Sequence, residues 1–215
     1  MRRQGLLPFL FLLLAFFLAC GPTLGRDPSW AVPVDLEGVP NLHRVTEDLY
    51  RSGQPSAEGF RNLEAIGVRT VVNLRDLHRD DLQGTALRGI RVRMRAWDPD
   101  INEVLYALQT LSNKENAPIL VHCQHGADRT GLVVAVYRMA VQDWSRERAI
   151  DEMMNGGYGF HPIWADIPRF LRQADIAAIK AALKGRSGGA ARRGLFPGQP
   201  GQKDAWTTAA RRGIR

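Results

Sequence analysis

The segment from Leu132 to Val141 is apolar on nearly every side. A helix without a polar face has to be surrounded by other parts of its own domain, so the rest of the fold must wrap around it. Immediately upstream, Pro118-Ile119-Leu120-Val121 reads as a short buried strand, entered through proline and leaving at His122. A buried strand that runs through a tight loop into a buried helix demands a layered α/β arrangement. The remaining periodicities agree. Leu49 to Gly53 reads as a strand entering a turn. Ser56 is placed to cap a helix with Phe60, Leu63 and Ile66 on its apolar face, ending at Gly67. Val68 to Leu74 is a β-branched buried strand, whereas Ile90 to Met94 alternates with arginine and suits an edge. Ile101, Val104, Leu105, Leu108 and Leu111 repeat at helical spacing; residues 146–154 form another helix, stopped at Gly156-Gly157. A last helix opens at Asp166-Ile167-Pro168, with the aspartate as its cap. The expected fold is therefore a small central mixed or parallel sheet flanked by helices.

With 215 residues the chain has room for one well-buried domain and appendages. The ends are the appendages. Arg2-Arg3 precede the apolar run Leu6 to Ala19, which as a helix spans roughly 21 Å, short of the ~30 Å hydrocarbon core. Residues 1–20 are thus expected to be an export signal, placing the domain in the periplasm or cell envelope. Phe17-Leu18-Ala19-Cys20-Gly21 resembles a lipobox with phenylalanine where leucine is usual, so Cys20 is either lipidated, anchoring the chain to the membrane, or left behind near an ordinary cleavage. Pro22, Pro28, Pro33 and Pro40 suggest a linker over 21–40, the domain is expected over 41–184, and 185–215 reads as a disordered basic tail. That tail explains the charge. Of the net +7, residues from Lys184 onward supply eight Lys/Arg against Asp204, so the fold proper is slightly acidic and only the tail is suited to anionic lipid. Trp30, Trp97, Trp144, Trp164 and Trp206 show no interleaving with basic residues, so no nucleic-acid partner is expected.

Only two cysteines occur, Cys20 and Cys123. Once Cys20 is lipidated or removed, Cys123 has no intramolecular partner, and a structural disulfide is excluded. Its setting is His122-Cys123-Gln124-His125-Gly126-Ala127-Asp128-Arg129-Thr130-Gly131. A strand, a tight loop and a helix N-terminus aim several backbone N–H groups into one concavity, where the helix dipole also favours an anion. Five residues between Cys123 and Arg129 suffice to wrap a phosphate and lay a planar guanidinium across two of its oxygens. The same field favours the thiolate of Cys123, placing a nucleophile beside the bound phosphate.

This run resembles the signature of the protein tyrosine phosphatase superfamily, His-Cys, five residues, then Arg-Thr-Gly. A looser similarity extends from about Leu49 to Leu171 in the manner of small bacterial dual-specificity-like phosphatases. The resemblance implies a phosphocysteine intermediate on Cys123, phosphoryl binding by Arg129 and the loop residues Gln124, His125, Gly126, Ala127 and Asp128, tuning of the thiolate by His122, and a hydrogen bond from Thr130 as the thiolate departs. It also implies a general acid on an earlier loop, often in an Ala-x-Asp setting. Ala96-Trp97-Asp98 fits, with Asp100 as the neighbouring alternative and Asp128 as a third; an aspartate before the signature arginine also resembles myotubularin- and Sac-type phosphoinositide phosphatases. The plainer reading of Asp128 is a brace that hydrogen-bonds backbone amides of the loop.

The expected activity is phosphomonoester hydrolysis by a monomer, on a phosphorylated protein or small phosphate ester, with no cofactor. Tyrosine or dual-specificity phosphatase is the first reading and inositol-phosphate or phosphoinositide phosphatase the second. A non-catalytic phosphate-binding module is disfavoured because Cys123, Arg129 and the acid are all retained, and a sulfurtransferase is disfavoured by the Arg-Thr-Gly ending. His122, Cys123 and His125, one and three apart with no second cluster, make a poor zinc site, so no metal is assigned. Tyr158 or His161, in the glycine-rich stretch after residue 154, is placed either to touch a ligand or merely to stop a helix. Arg75, at the end of a strand, suits either a second phosphate or a nearby acid.

Overall fold

The computed structural model describes residues 26–186, so the leader, Cys20 and most of the basic tail lie outside the described residues. Its sheet is built around Ile119–His122 (β6), four residues that are all buried. β6 pairs in parallel with Leu49–Ser52 (β3) on one side and Thr70–Arg75 (β4) on the other. β4 pairs in turn with Arg88–Met94 (β5), the edge expected from its alternating arginines. Val32–Pro33 (β1) and His43–Thr46 (β2) extend the other side antiparallel, giving a mixed six-stranded sheet in the order β1-β2-β3-β6-β4-β5. Because β3, β6, β4 and β5 run parallel, the loops leaving them gather at one edge, where ligand sites of open α/β sheets form.

Helices cover both faces. Ala57–Ala65 (α1) is capped by Ser56, whose hydroxyl accepts from Gly59 N, and Phe60 and Leu63 are buried below it. Asp128–Val141 (α3) lies at the centre of the other side, packed against Ile101–Ser112 (α2), Arg146–Asn155 (α4), Asp166–Gln173 (α5) and Ile176–Arg186 (α6). Leu132, Val133, Val134 and Val136 are each no more than 1% exposed, as an all-apolar helix requires. Among the described residues no helix is long and apolar enough to cross a membrane.

Two expectations about boundaries need correction. Residues 26–40 are not a tether. Trp30, Ala31 and Val39 are buried, β1 adds to the sheet, and the Ala31 N–H donates to Glu152 Oε1 at 2.7 Å. The prolines there tolerate an edge strand and turns, and they do not prevent the segment from burying apolar side chains. The segment closes over a buried ion pair: Arg138 Nε and Nη2 each stand 2.7 Å from a Glu152 carboxylate oxygen, across α3 and α4. Asp166 does not cap α5; the residue at that position is Ala165, with no side-chain cap bond, and α6 follows as a further helix.

Candidate active site

At the sheet's carboxyl edge, residues 123–127 form the loop between β6 and α3. Its carbonyl groups are held from outside, one after another. Cys123 O lies 3.2 Å from His122 Nδ1 and Gln124 O accepts from Gln54 N at 3.0 Å. His125 O accepts from Asn41 Nδ2 at 2.8 Å, Gly126 O from Arg51 Nη2 at 2.7 Å, and Ala127 O from Gly131 N at 2.8 Å. In a trans peptide the N–H points opposite to the carbonyl. Tying carbonyls 123–126 outward therefore turns the following N–H groups toward the interior of the loop, which is the anion cradle expected from the sequence. Gly126 adopts φ +75°, and a Cβ there would stand 2.5 Å from Gly53 N, so no other residue fits.

Three buried polar atoms around this loop lack a partner: Arg129 Nε, Thr130 Oγ1 and Arg51 Nε. Buried polar atoms are normally paired, so their clustering marks a place built for a polar ligand. Cys123 is 1% exposed and Thr130 fully buried, while Gln124 and His125 are exposed on the rim.

Three residues that the sequence did not flag complete the surroundings. Arg51 is fully buried on β3, beneath the loop, with its guanidinium 3.6 Å from the Tyr158 ring centroid. Burial lowers its pKa, and Tyr158, Glu152 and the Cys123 thiolate work against that. Asp80, in the segment after β4, holds Oδ2 3.0 Å from His122 Nε2, and Gln54 Nε2 donates to Oδ1 at 2.9 Å. Burial raises its carboxyl pKa, but the hydrogen bonds from His122 and Gln54 outweigh that and leave it below the ordinary carboxylate value. Both ring nitrogens of His122 thus face oxygen atoms. The third is Asn41, whose amide also reaches Tyr158 O at 2.9 Å and ties the loop to the glycine-rich segment. The only sequence signal for Arg51 was a charge inside an apolar strand; Asp80 and Asn41 lie in loops with no spacing that links them to Cys123.

The other expected residues separate. Asp98 is exposed, four residues beyond the end of β5 and so at the sheet edge that carries the loop. It lines a cleft of about 430 Å³ with Asp76, Arg93, Arg95, Asp100 and Glu103. Asp100 caps α2, accepting from Asn102 N at 2.7 Å. Glu103 is a carboxyl pushed up to about 7, by burial first and by Asp100 second. Asp128 is a brace, but between loops: its Oδ1 accepts from His161 N at 2.9 Å, and His161 Nδ1 lies 2.9 Å from Oδ2. Tyr158 is 2% exposed, with its ring against the Arg51 guanidinium, and burial pushes its hydroxyl up to about 12. Among the described residues Arg75 makes no ion pair; it donates to Gln54 Oε1 at 2.8 Å, and burial, then Arg129, lowers its pKa while Asp80 works against that.

A profile described as the tyrosine phosphatase family matches residues 39–155. The dual specificity protein phosphatase TpbA of Pseudomonas aeruginosa is 37% identical over 160 residues, covering 74% of this chain and 72% of that protein. An inositol diphosphatase of Arabidopsis thaliana, DSP5, is 30% identical over 154 residues, covering 67% of this chain and 74% of the relative. Among solved structures, P. aeruginosa TpbA superposes with a TM-score of 0.66 at 35% identity, covering 74% of this chain and 99% of the other. A Cys-to-Ser form of TpbA in complex with phosphotyrosine gives the same TM-score at 34% identity, covering 76% and 99%.

Proposed function

The chain belongs to the tyrosine phosphatase family and is a phosphatase of the protein-tyrosine-phosphatase type, and on that footing we propose that it hydrolyses phosphomonoesters in two steps through Cys123. The Cys123 thiolate attacks phosphorus, an S–P bond forms, and the ester P–O bond breaks with its electron pair leaving on oxygen. We assign the proton for that oxygen to Asp98, which stands in the Ala-x-Asp setting after β5 and lines the cleft beside Arg93 and Arg95. A water then attacks the phosphocysteine with Asp98 as base, and the S–P electron pair returns to sulfur. Arg129 and the inward N–H groups bind the phosphoryl oxygens in both steps, Thr130 Oγ donates to sulfur as it leaves, and His122 holds the Cys123 carbonyl. The observation that carries this reading is the run of outward-tied carbonyls around Cys123 beside unpaired Arg129 Nε and Thr130 Oγ1.

Phosphotyrosine and phosphoserine or -threonine in proteins are the proposed substrates, supported by the relative named a dual specificity phosphatase and by the phosphotyrosine complex of its Cys-to-Ser form. A second reading, an inositol phosphate or diphosphate, is supported by the relative named an inositol diphosphatase and by Arg75, a second guanidinium close enough for Arg129 to lower its pKa. The leader read over residues 1–20 would put the activity in the cell envelope. The test is aryl phosphate hydrolysis by the full chain in EDTA, with and without Cys123→Ser, followed by comparison of a phosphotyrosine peptide with an inositol diphosphate. Activity that survives EDTA and vanishes in the variant supports the mechanism. No turnover in either protein, with vanadate still bound, makes the chain a binding module.

A further inference from the structure

His125, Asp128 and His161 each present a ligand atom, and these atoms all lie within 4.8 Å of one another. The three come from two segments that only the fold brings together: the loop after β6, and the segment between α4 and α5, 33 residues from Asp128. We propose that they form a zinc-binding site on the rim of the phosphate pocket, and that filling it clamps the pocket and stops turnover.

The donor set is two imidazole nitrogens and one carboxylate oxygen, which suits Zn(II) and leaves a fourth position open. Zinc bonds of about 2.0–2.1 Å put tetrahedral ligand atoms about 3.4 Å apart. His161 Nδ1 already stands 2.9 Å from Asp128 Oδ2, near that spacing, so the metal takes the place now held by the hydrogen between them. The carboxylate is fixed before any metal arrives: Asp128 is 5% exposed, and the His161 backbone N–H holds Oδ1 at 2.9 Å, leaving Oδ2 for the ion. The movable ligands are the imidazoles. The His161 side chain is 46% exposed and His125 is exposed, with ring centroids 5.2 Å apart, so closing 4.8 Å to the bonding distance asks only for rotation at the surface. Their exposure also gives the ion an entry path.

The consequence follows from where the ligands sit. His125 and Asp128 are two of the five residues between Cys123 and Arg129, and His161 belongs to the segment across the rim. A metal held by all three links that segment to the cradle and places a dication where substrate must enter. Asp128 and His161 pair without metal, so the site can be empty in the active enzyme.

The experiment measures Zn(II) affinity by chelator competition on the full chain carrying Cys123→Ser, which removes the competing thiolate and needs no activity. One equivalent should bind, and His161→Ala and His125→Ala should each weaken it by at least about tenfold. Both variants alter exposed side chains, and thermal melts verify that they fold. Co(II) should give tetrahedral d–d bands with the wild-type chain, without thiolate-to-cobalt charge transfer. In the wild-type background, the zinc concentration that halves aryl phosphate turnover should rise by a similar factor on His161→Ala. Binding in the Cys123→Ser chain that neither histidine substitution weakens, absence of binding, or inhibition unchanged by His161→Ala overturns the proposal.

Discussion

Replacing Asp80 by asparagine preserves shape and removes only charge behind the nucleophile. The Asp80 side chain is 6% exposed and that of His122 is fully buried, so little solvent screens their contact. His122 bridges Asp80 Oδ2 at 3.0 Å and Cys123 O at 3.2 Å. An asparagine in place of Asp80 offers His122 only a neutral partner, so the ring is held less firmly against the Cys123 carbonyl. A Cys123 carbonyl held less firmly lets the start of the loop, and the nucleophile it carries, drift from the attacking position. Charge-assisted hydrogen bonds are worth about 1.5–3 kcal/mol and neutral ones about 0.5–1.5, so the expected loss is about 1 kcal/mol or slightly more. That corresponds to roughly a five- to tenfold drop in alkylation of Cys123 by iodoacetamide at mildly acidic pH, and in kcat/KM for an aryl phosphate. Asp80→Ala should be worse, since it also opens space beside Gln54. If Asp80→Asn lowers Tm yet leaves alkylation unchanged or faster, the carboxylate is a packing element and the reasoning about His122 fails.

Arg51→Met keeps most of the side-chain volume beneath the loop but frees the Gly126 carbonyl. Vanadate affinity, read by inhibition, should fall at least about tenfold as one peptide of the cradle loses its orientation. Glu152→Gln breaks the buried pair with Arg138; burial raises the Glu152 carboxyl pKa, but the Arg138 hydrogen bonds outweigh that and keep it low. Such a loss costs about 3–5 kcal/mol, or on the order of 10 °C in Tm by differential scanning calorimetry, without change in the aryl phosphate KM. Glu103, with its carboxyl raised to about 7, binds a proton more tightly folded than unfolded. Its contribution is therefore lost as pH rises from about 4.5 through 7, and Glu103→Gln should stabilise the chain at pH 8 relative to pH 5 by on the order of 1 kcal/mol after solvent screening. Equal effects at both pH values in urea titrations would contradict this.

The central strand was legible as a continuous apolar run and the helix as one apolar on nearly every side, and β5 was legible as an edge because arginine alternates along it. The phosphate loop was legible because its parts are contiguous from His122 to Gly131. What escaped is what contiguity does not carry. Prolines at 28, 33 and 40 suggested a tether, yet Ser29 and Ala31 reach Arg138 and Glu152, a pair 14 residues apart on two helices. Asp80 reaches His122 over 42 residues and Arg51 reaches Gly126 over 75, with no motif to join them. Asp100 was read as a candidate acid because it lies in the turn two residues from Asp98; its cap on α2 is a further role that this spacing does not carry.

The most direct test of the account is to trap the covalent intermediate. The full chain would be mixed with a fast-leaving aryl phosphate in EDTA, quenched in acid within the first turnover, and its peptides weighed by mass spectrometry. The account predicts one added phosphoryl group on the peptide containing Cys123, decaying as turnover proceeds and absent in Cys123→Ser. A phosphoryl group on any other residue, or undiminished turnover by Cys123→Ser, would contradict it.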